Sequence, residues 1–303
     1  MKFILFLTTS LVALGLMAES TTLGDSQIRA TAGKSSIVIT ATRRLAGAIH
    51  SLTWDGTEFI NSADHGRQLQ SACSFDNSAA FGAETYNPTE AGSRDDGSGP
   101  NTTSQLLEII AQGNHLKTRT RMAFWLRPGE RSAGQLARNT HSISDYILTK
   151  DVSLGYQKWP QALDYRVTFT LPPQTHHTSA QYETLTGYMP AEFEKFMQFN
   201  PSTGNLESLS DGPGEIKNPV VLSTVDGRHA MGIFADSKNQ GGGAKPSFGR
   251  WRFKDAQVVK WNCVFRVQNP QGIQSADYTF HMLVPIGTLV EVEQMLREWE
   301  AQN

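Results

Sequence analysis

The chain has 303 residues, of which 18% are charged and 39% are hydrophobic, and its formal net charge at pH 7 is -2. So balanced a charge provides no extended positive field for nucleic acid or for an anionic membrane, and we expect neither as a partner. The 26 glycines and 13 prolines suit a turn-rich β protein better than a helical one. We therefore expect one large all-β domain.

The first segment of the chain is typical of a secretory signal. Residues 1–18 contain Lys2, then a short apolar run, and end at Ala18, which is a plausible cleavage point. The run is too short for a membrane span, and no charged stop follows it. The sequence thus predicts a signal peptide over residues 1–18, a single β-sandwich domain over 19–303, and a secreted or periplasmic protein.

Extended segments follow along the chain. β-Branched residues dominate residues 36–40, and within residues 47–60 the pair Asp55-Gly56 is a hairpin turn signal. Polar and apolar residues alternate over residues 163–171, which predicts the clearest strand of the sequence. Further strands are predicted over residues 118–126, 146–156, 182–190, 220–224, 231–235, 251–253, 258–261, 264–267 and 279–284.

The remaining segments are read from their periodicity and length. Residues 106–112 fit either a strand end or a helical turn, and residues 191–199 fit a helical turn or a compact loop. A long loop is predicted over residues 200–219. Only residues 289–301 show helical periodicity, so one short C-terminal helix is expected. Because strands follow one another without helices between them, the pattern favours a large antiparallel sandwich.

The segment between residues 61 and 96 is rich in hydrogen-bonding side chains and contains few aliphatic ones. Pro88 restricts its backbone, and several glycines permit tight turns. A loop of this composition is suited to contact a polar ligand. Its polar residues include Arg67, Gln68, Gln70, Glu84, Tyr86, Asn87, Glu90, Arg94 and Asp95.

This part of the chain resembles the opening of the galactose mutarotase-like (aldose epimerase) superfamily. The residues from Gly47 to Ile60 read Gly-Ala-Ile-x-Ser-Leu-x-x-x-Gly-x-Glu-Phe-Ile, and residues 65–70 read His-Gly-Arg-Gln-Leu-Gln. The rest of the chain shares the family's succession of strands. The resemblance implies an antiparallel β-supersandwich with a short C-terminal helix. It also implies a carbohydrate ligand, whether a mono-, oligo- or polysaccharide.

In the resembled family an arginine on an early strand binds sugar hydroxyls, and Arg67 stands at the matching position. We predict that Arg67 and the loop of residues 86–94 form one pocket, since a strand leaving Gln70 can return through a loop of that length. The sequence-predicted substrate-binding residues are Arg67, Gln68, Gln70, Tyr86, Asn87, Arg94, Tyr188 and Arg228.

The sequence-predicted catalytic residues are Glu90, His177 and His229. Glu90 and Glu84 flank a short loop, where two carboxylates can serve as acid and base if one is desolvated. The structural alternative is that Glu90 binds Arg94 or caps backbone amides. Members of the resembled family carry a catalytic histidine near the middle of the chain, which implies His177, and His229 is its rival.

Two functions remain open at this point. The family's catalytic base is a glutamate on a late strand, and none lies between Trp261 and Val284. The protein is therefore expected to be an enzyme of the hydrolase, lyase or epimerase type or, as the alternative, a non-catalytic carbohydrate-binding protein. No spacing typical of metal ligands occurs, and we expect no metal and no cofactor.

The two cysteines, Cys73 and Cys263, allow two interpretations. In an oxidising compartment they can form a disulfide that closes a long loop, provided that their Cα atoms come close enough. Two buried free thiols fit the sequence equally well.

Overall fold

The computed structural model of the protein describes residues 25–61, 63, 66–173, 176–235, 238, 240–243 and 245–303. The predicted signal peptide and His65 of the family-like opening lie outside the described residues. The strands are β1 (Asp25–Ala32), β2 (Ser35–Thr42), β3 (Ile49–Trp54), β4 (Thr57–Glu58), β5 (Leu69–Phe75), β6 (Pro88–Thr89), β7 (Gln105–Gln112), β8 (His115–Phe124), β9 (Arg131–Ser132), β10 (Gln135–Leu136), β11 (Ile143–Tyr156), β12 (Trp159–Thr170), β13 (Ser179–Pro190), β14 (Lys195–Asn200), β15 (Asn205–Ser208), β16 (Gly214–Ile216), β17 (Val220–Ser223), β18 (Ala230–Gly232), β19 (Phe234–Ala235), β20 (Pro246–Phe253), β21 (Val258–Gln268) and β22 (Asp277–Gly287). The helix α1 (Leu289–Glu300) follows.

Two layers of antiparallel strands form the framework. The first layer has the order β1-β2-β3-β5-β13-β21-β20-β16. The second has the order β7-β8-β11-β12-β22-β18-β17-β14-β15. The short strand β6 pairs with both β5 and β8 and so joins the layers. The predicted fold class, a large antiparallel β-sandwich with a short C-terminal helix, is confirmed.

Aromatic side chains fill the core between the two layers. Tyr182 of β13 contacts Phe169 of β12 and Phe280 of β22, with ring centroids 5.1 Å apart in both pairs. These separations lie in the favourable range for aromatic pairs. Since successive side chains of a strand point to opposite faces, every second residue of β13 and β21 points away from this core. We call that side of the first layer the outer face.

Turn and helix signals lie where the sequence predicts them. Asp55 and Gly56 join β3 to β4 with φ values of 49° and 76°, which suit a type I′ hairpin turn. Helix α1 begins after Thr288, and the side chains of Thr288 and Glu291 bond reciprocally to each other's backbone amides. This capping box fixes the first turn. The buried stripe of the helix consists of Val292, Met295, Leu296 and Trp299.

In three segments the structure decides between open expectations or differs from the expectation based on the sequence. Residues 106–112 belong to the strand β7, and the expected loop of residues 200–219 contains β15 and β16. The helical turn or compact loop expected over residues 191–199 is limited to residues 191–194, and the expectation is wrong from Lys195 onward, where β14 forms. Phe196 packs in the core between the layers, whereas Phe199 packs in a second apolar cluster beneath α1. Both faces of β14 are covered, so its apolar residues need not alternate with polar ones. The aromatic spacing of this segment was misleading for that reason.

The two cysteines are buried free thiols. Cys73 of β5 is in register with Tyr182, and Cys263 of β21 is in register with Leu185, so β13 lies between them. Two inter-strand spacings are roughly 9 to 10 Å, which exceeds the Cα separation of about 7 Å that a disulfide can bridge. Burial raises the pKa of both thiols above the ordinary value.

Candidate functional site

The outer face of the first layer carries polar side chains from several strands. Thr186 of β13 is in register with Gln70 of β5 and with Asn262 of β21. Tyr188 of β13 is likewise in register with Lys260 of β21. Alternation along each strand places these side chains on the side opposite the aromatic core. The sheet therefore gathers groups that are far apart in the sequence.

A cleft of about 170 Å³ opens on this face. The strands β5, β13 and β21 supply its floor, and a wall is formed by Ala83, Glu84, Asn87, Thr89 and Trp125. We call it the Tyr188 cleft. The aromatic and hydrogen-bonding residues that line it are Gln70, Ser71, Ser74, Glu84, Asn87, Thr89, Trp125, Gln181, Glu183, Thr186, Tyr188 and Lys260.

An ion pair dominates the electrostatics of the cleft. Lys260 Nζ lies 2.9 Å from Glu183 Oε1, and the two side chains are 12% and 22% exposed. Burial acts to raise the pKa of Glu183, but the Lys260 ammonium and hydrogen bonds from Thr186 and Asn262 hold it below the usual value. Burial acts to lower the pKa of Lys260, yet the Glu183 carboxylate raises it above the ordinary range. Both groups are therefore charged at neutral pH and neutralise each other.

A second ion pair lies farther along the same face. The guanidinium of Arg266 donates to both oxygens of Glu215, at 2.7 Å each, and its Nε donates to Gln181 Oε1 at 3.1 Å. Burial opposes ionisation of Glu215, but these hydrogen bonds hold its pKa below the usual value. Such a bidentate pair fixes the geometry of both side chains. Arg266 is therefore paired with the carboxylate of Glu215, as Lys260 is paired with that of Glu183.

Three of the predicted substrate-binding residues line the Tyr188 cleft: Gln70, Asn87 and Tyr188. Gln70 Oε1 accepts a hydrogen bond from the Ala91 amide at 3.0 Å. Asn87 Nδ2 donates to the Cys73 carbonyl at 2.7 Å and to Ser74 Oγ at 3.0 Å. Both side chains thus hold the loop against β5, whereas Tyr188 contacts Lys260, whose Nζ lies 4.9 Å from its ring centroid.

Arg67 and Gln68, which precede Gln70 in the sequence, lie at the edge of the cleft or beneath it. Gln68 is fully buried, and its Oε1 accepts a hydrogen bond from the Gly66 amide at 2.8 Å. Arg67 is partly exposed, and Gly66 beside it lines the cleft, packed so closely against Trp125 that a Cβ would lie 3.0 Å from the indole. In this conformation Gln68 supports the turn and cannot reach a ligand.

Glu90 and Arg94 are engaged elsewhere, so the predicted pocket of Arg67 with the whole loop of residues 86–94 does not form as such. Glu90 is fully buried, and its Oε1 lies 2.5 Å from the Nζ of Lys150, which is also fully buried. A carboxylate without solvent access cannot act on a sugar in this conformation. Arg94 instead binds Glu130, at 3.2 Å. The structural alternative therefore describes Glu90 better, with Lys150 as its cation.

Tyr86 and His177 meet in a buried cluster outside the Tyr188 cleft. His177 Nε2 lies 2.5 Å from Tyr146 Oη, and Nδ1 lies 3.6 Å from Asp76 Oδ1. The imidazole is 1% exposed and stacks on Phe75, and the Tyr86 ring lies 5.7 Å away. Burial lowers the pKa of His177 to about 4, although Asp76 opposes this shift. The imidazole is therefore neutral at neutral pH.

A second cleft, of about 720 Å³, borders this cluster. Asp76, His176, His177 and residues 270–275 are among its lining residues. Its described walls contain no Trp, Tyr or Phe, and His177 presents only a buried edge to it. Sugar sites combine aromatic faces with hydrogen-bonding groups, and the smaller Tyr188 cleft offers both.

Arg228 and His229 lie in the turn between β17 and β18. Arg228 is 78% exposed and pairs with Asp226, at 2.5 Å. His229 Nε2 lies 3.1 Å from Thr57 Oγ1, and its ring contacts Trp54 edge to face. Neither residue lines the Tyr188 cleft.

Sequence reasoning did not select Glu183, Lys260 or Trp125. A signal for two of them exists, because Lys260, Asn262 and Arg266 alternate with apolar residues and so mark a polar face of β21. Glu183 belongs to the same pattern on β13, although the register shifts between Glu183 and Leu185 and breaks the period there.

Metal-binding clusters and membrane-spanning helices are both absent from the described residues. No group of three or more His, Cys, Asp or Glu side chains there is arranged to hold a metal ion. Within the same residues, no helix has the length and apolarity needed to cross a membrane.

The fold has counterparts among solved structures. A protein in glycosyl hydrolase family 38 from Enterococcus faecalis is 12% identical, with a TM-score of 0.51, and the match covers 90% of this chain and 32% of that one. The α-N-acetylgalactosaminidase NagBb from Bifidobacterium bifidum, in complex with GalNAc, is 11% identical with a TM-score of 0.47 and coverages of 91% and 39%. A candidate aldose 1-epimerase from Klebsiella pneumoniae is 12% identical with a TM-score of 0.40 and coverages of 92% and 91%.

These likenesses concern the fold alone. The chain spans about a third of the length of the Enterococcus and Bifidobacterium proteins. No protein-family model matches the sequence, and no curated protein sequence matches it. The likenesses agree with the observed antiparallel β-sandwich, and the resemblance to the galactose mutarotase-like superfamily stays a prediction from the sequence.

Proposed function

We propose that this protein binds a neutral carbohydrate in the Tyr188 cleft. The observation that carries the proposal is the composition of the cleft: the aromatic residues Trp125 and Tyr188 line it together with amide, hydroxyl and charged side chains. Aromatic faces stack on the apolar side of a sugar ring, while the polar groups bond its hydroxyls. The glycosyl hydrolase family 38 protein that shares the fold supports this ligand class.

The charges of the face favour a neutral ligand over an acidic one. Lys260 and Arg266 are each bound to a carboxylate, Glu183 and Glu215 respectively. An acidic sugar would have to displace these partners and leave a carboxylate unpaired, which is costly for partly buried groups. Glu84, which also lines the cleft, adds a negative charge that repels a uronate or a sulfate group.

Catalysis is the second candidate, and the observation that favours it is that Tyr188 and Glu84 line the same cleft. Glu183 and Lys260 are bound to each other, whereas Glu84 and Tyr188 lie outside that ion pair, and a carboxylate and a phenol are residue types that act in general acid–base catalysis. This activity would be hydrolysis, elimination or epimerisation of the bound sugar. Export through the predicted signal peptide would give the protein access to extracellular or periplasmic glycans, and secretion remains part of the proposal.

The test is a binding screen on an array of neutral glycans, followed by titration calorimetry. We expect binding to a neutral sugar and weaker binding to heparin, alginate and polygalacturonate. Tyr188→Ala should weaken binding by roughly 1 to 2 kcal/mol, or about 5- to 30-fold, by loss of one stacking and hydrogen-bonding group.

The matched control is Arg228→Ala, which removes an exposed side chain outside the cleft and should leave affinity within about twofold. A preference for the acidic polymers, or unchanged affinity in Tyr188→Ala, would contradict the proposed site. Release of reducing ends or of unsaturated products that absorb ultraviolet light would establish the catalytic candidate.

A further inference from the structure

Trp251 and Tyr188 flank the same lysine on the outer face. Trp251 of β20 is in register with Lys260 of β21, which is in register with Tyr188 of β13. Lys260 Nζ lies 4.8 Å from the Trp251 ring centroid and 4.9 Å from that of Tyr188. Contacts of this length between an ammonium and an aromatic face are attractive. The lysine therefore fixes two aromatic rings on either side of β21.

The strand beneath Trp251 is shaped to receive its indole. Gly249 lies two residues before Trp251 on the same face, and a Cβ there would come within 2.1 Å of Trp251 Cη2 and 2.4 Å of Cζ3. The indole thus lies over the backbone of Gly249. The Gly249 amide donates to Asn262 Oδ1 at 2.9 Å, which holds the backbone in place. A glycine is needed here for space, because any side chain would lift the ring.

A preorganised and partly exposed aromatic ring is a suitable platform for a sugar. Trp251 is only partly buried, so part of the indole remains open to solvent. Its orientation is fixed by Gly249 and Lys260, and little conformational entropy would be lost on binding. It does not line the Tyr188 cleft but lies two strands from Tyr188, a distance of roughly 9 to 10 Å. One sugar ring cannot stack on both residues at once.

We propose that Trp251 forms a second sugar-stacking subsite, so that the ligand is an oligosaccharide of neutral sugars whose linked rings occupy the Tyr188 cleft and the Trp251 platform. The inference rests on the proposed function of the cleft. Lys260 lies between the two subsites, and the ammonium protons that Glu183 does not use can bond a hydroxyl near the linkage. Recognition of linked rings would make affinity depend on chain length.

The experiment is titration calorimetry with three neutral series: glucose to maltotetraose, glucose to cellotetraose, and galactose to β-1,4-galactotetraose. In the wild-type protein one series should gain roughly 3- to 10-fold in affinity from its monosaccharide to its longer members. Trp251→Ala should abolish this gain and leave monosaccharide affinity within about twofold. Trp251→Phe should retain part of the gain, since it keeps a smaller aromatic ring.

Gly249→Ala tests the same geometry without removing the ring, and it should also reduce the gain because the indole is displaced. Trp159→Ala is the matched control: Trp159 of β12 also lies beneath a lysine, Lys158, at 5.2 Å, but outside the outer face. It should leave the gain unchanged, and far-ultraviolet circular dichroism confirms that each variant is folded.

The outcomes separate the two proposals. Binding of a monosaccharide without any gain on lengthening the chain overturns the Trp251 subsite and leaves the proposed function standing. A loss of monosaccharide affinity in Trp251→Ala as large as the loss for longer chains also overturns it, because Trp251 then belongs to a single site. Failure of every series to bind overturns both proposals.

Discussion

Replacing Lys150 with methionine should destabilise the fold rather than impair a site. Lys150 Nζ lies 2.5 Å from Glu90 Oε1 with both side chains fully buried, and it also donates to the Gly47 carbonyl at 2.7 Å. The other oxygen of Glu90 accepts from the Ser71 amide at 3.0 Å. The pair thus ties β11 to β5 and to the loop after β6. Methionine keeps the length of the side chain but removes the cation, so the Glu90 carboxylate is left buried and unpaired.

The burial of the Lys150–Glu90 pair determines how much stability Lys150→Met should lose. Loss of one partner of a buried ion pair costs about 3 to 5 kcal/mol. In a domain of this length each kcal/mol lowers the Tm by roughly 2 °C, so a fall of about 6 to 10 °C is expected. Replacing both Lys150 and Glu90 with methionine should recover part of the loss, because an apolar pair avoids the stranded charge.

The assay is thermal unfolding followed by circular dichroism, with Lys158→Met as the matched control. Lys158 pairs with Glu298 at 2.9 Å, but its side chain is 66% exposed. The free energy of unfolding of this control should change by less than about 1 kcal/mol. If Lys150→Met instead melts within about 2 °C of the wild type while carbohydrate binding is lost, Glu90 contacts the ligand and the structural interpretation of the pair is refuted.

Two further predictions concern buried titratable groups. Burial lowers the pKa of His177 in the folded protein to about 4, below the ordinary histidine value of about 6.5, so the unfolded chain takes up the proton first. Stability should therefore fall by about 3 kcal/mol as the pH drops from 6.5 to 4. His177→Phe should make the free energy of unfolding, measured by urea titration at pH 7, 5 and 4, depend less on pH. If the variant loses as much stability as the wild type, the pH dependence comes from other groups. The protein unfolded without reductant should take up two iodoacetamide adducts by mass spectrometry, one each at Cys73 and Cys263, whereas a disulfide would block both.

Much of the fold could be predicted because its signals are local. Asp55 and Gly56 determine a hairpin through their own backbone preferences, and the stripe of α1 needs only one period to be recognised. The failure at β14 is equally physical. Phe196 and Phe199 are buried in two different clusters, so neither a period of two nor one of 3.6 describes the segment.

The site was harder to predict because it depends on register between distant strands. Gln70, Tyr188 and Lys260 meet only when β5, β13 and β21 are aligned, and no local pattern contains that alignment. Residue type alone also misled the assignment of Glu90. The charge of Glu90 suggested a ligand contact, but the carboxylate pairs with Lys150 in the core. The alternating pattern of β11 does not reveal that Lys150 is buried.

The polar loop nevertheless has a clear part in the architecture of the cleft. Asn87 bonds to the Cys73 carbonyl, Gln70 bonds to the Ala91 amide, and Glu90 exchanges hydrogen bonds with the backbone of Ser71. These bonds fasten residues 83–89 to β5, where they form a wall of the Tyr188 cleft. Buried polar groups that are fully satisfied make such a wall rigid. The hydrogen-bonding density that predicted a ligand-binding loop is therefore largely used to position that wall. In the proposed site, Trp125 and side chains of β13, β20 and β21 contact the ligand.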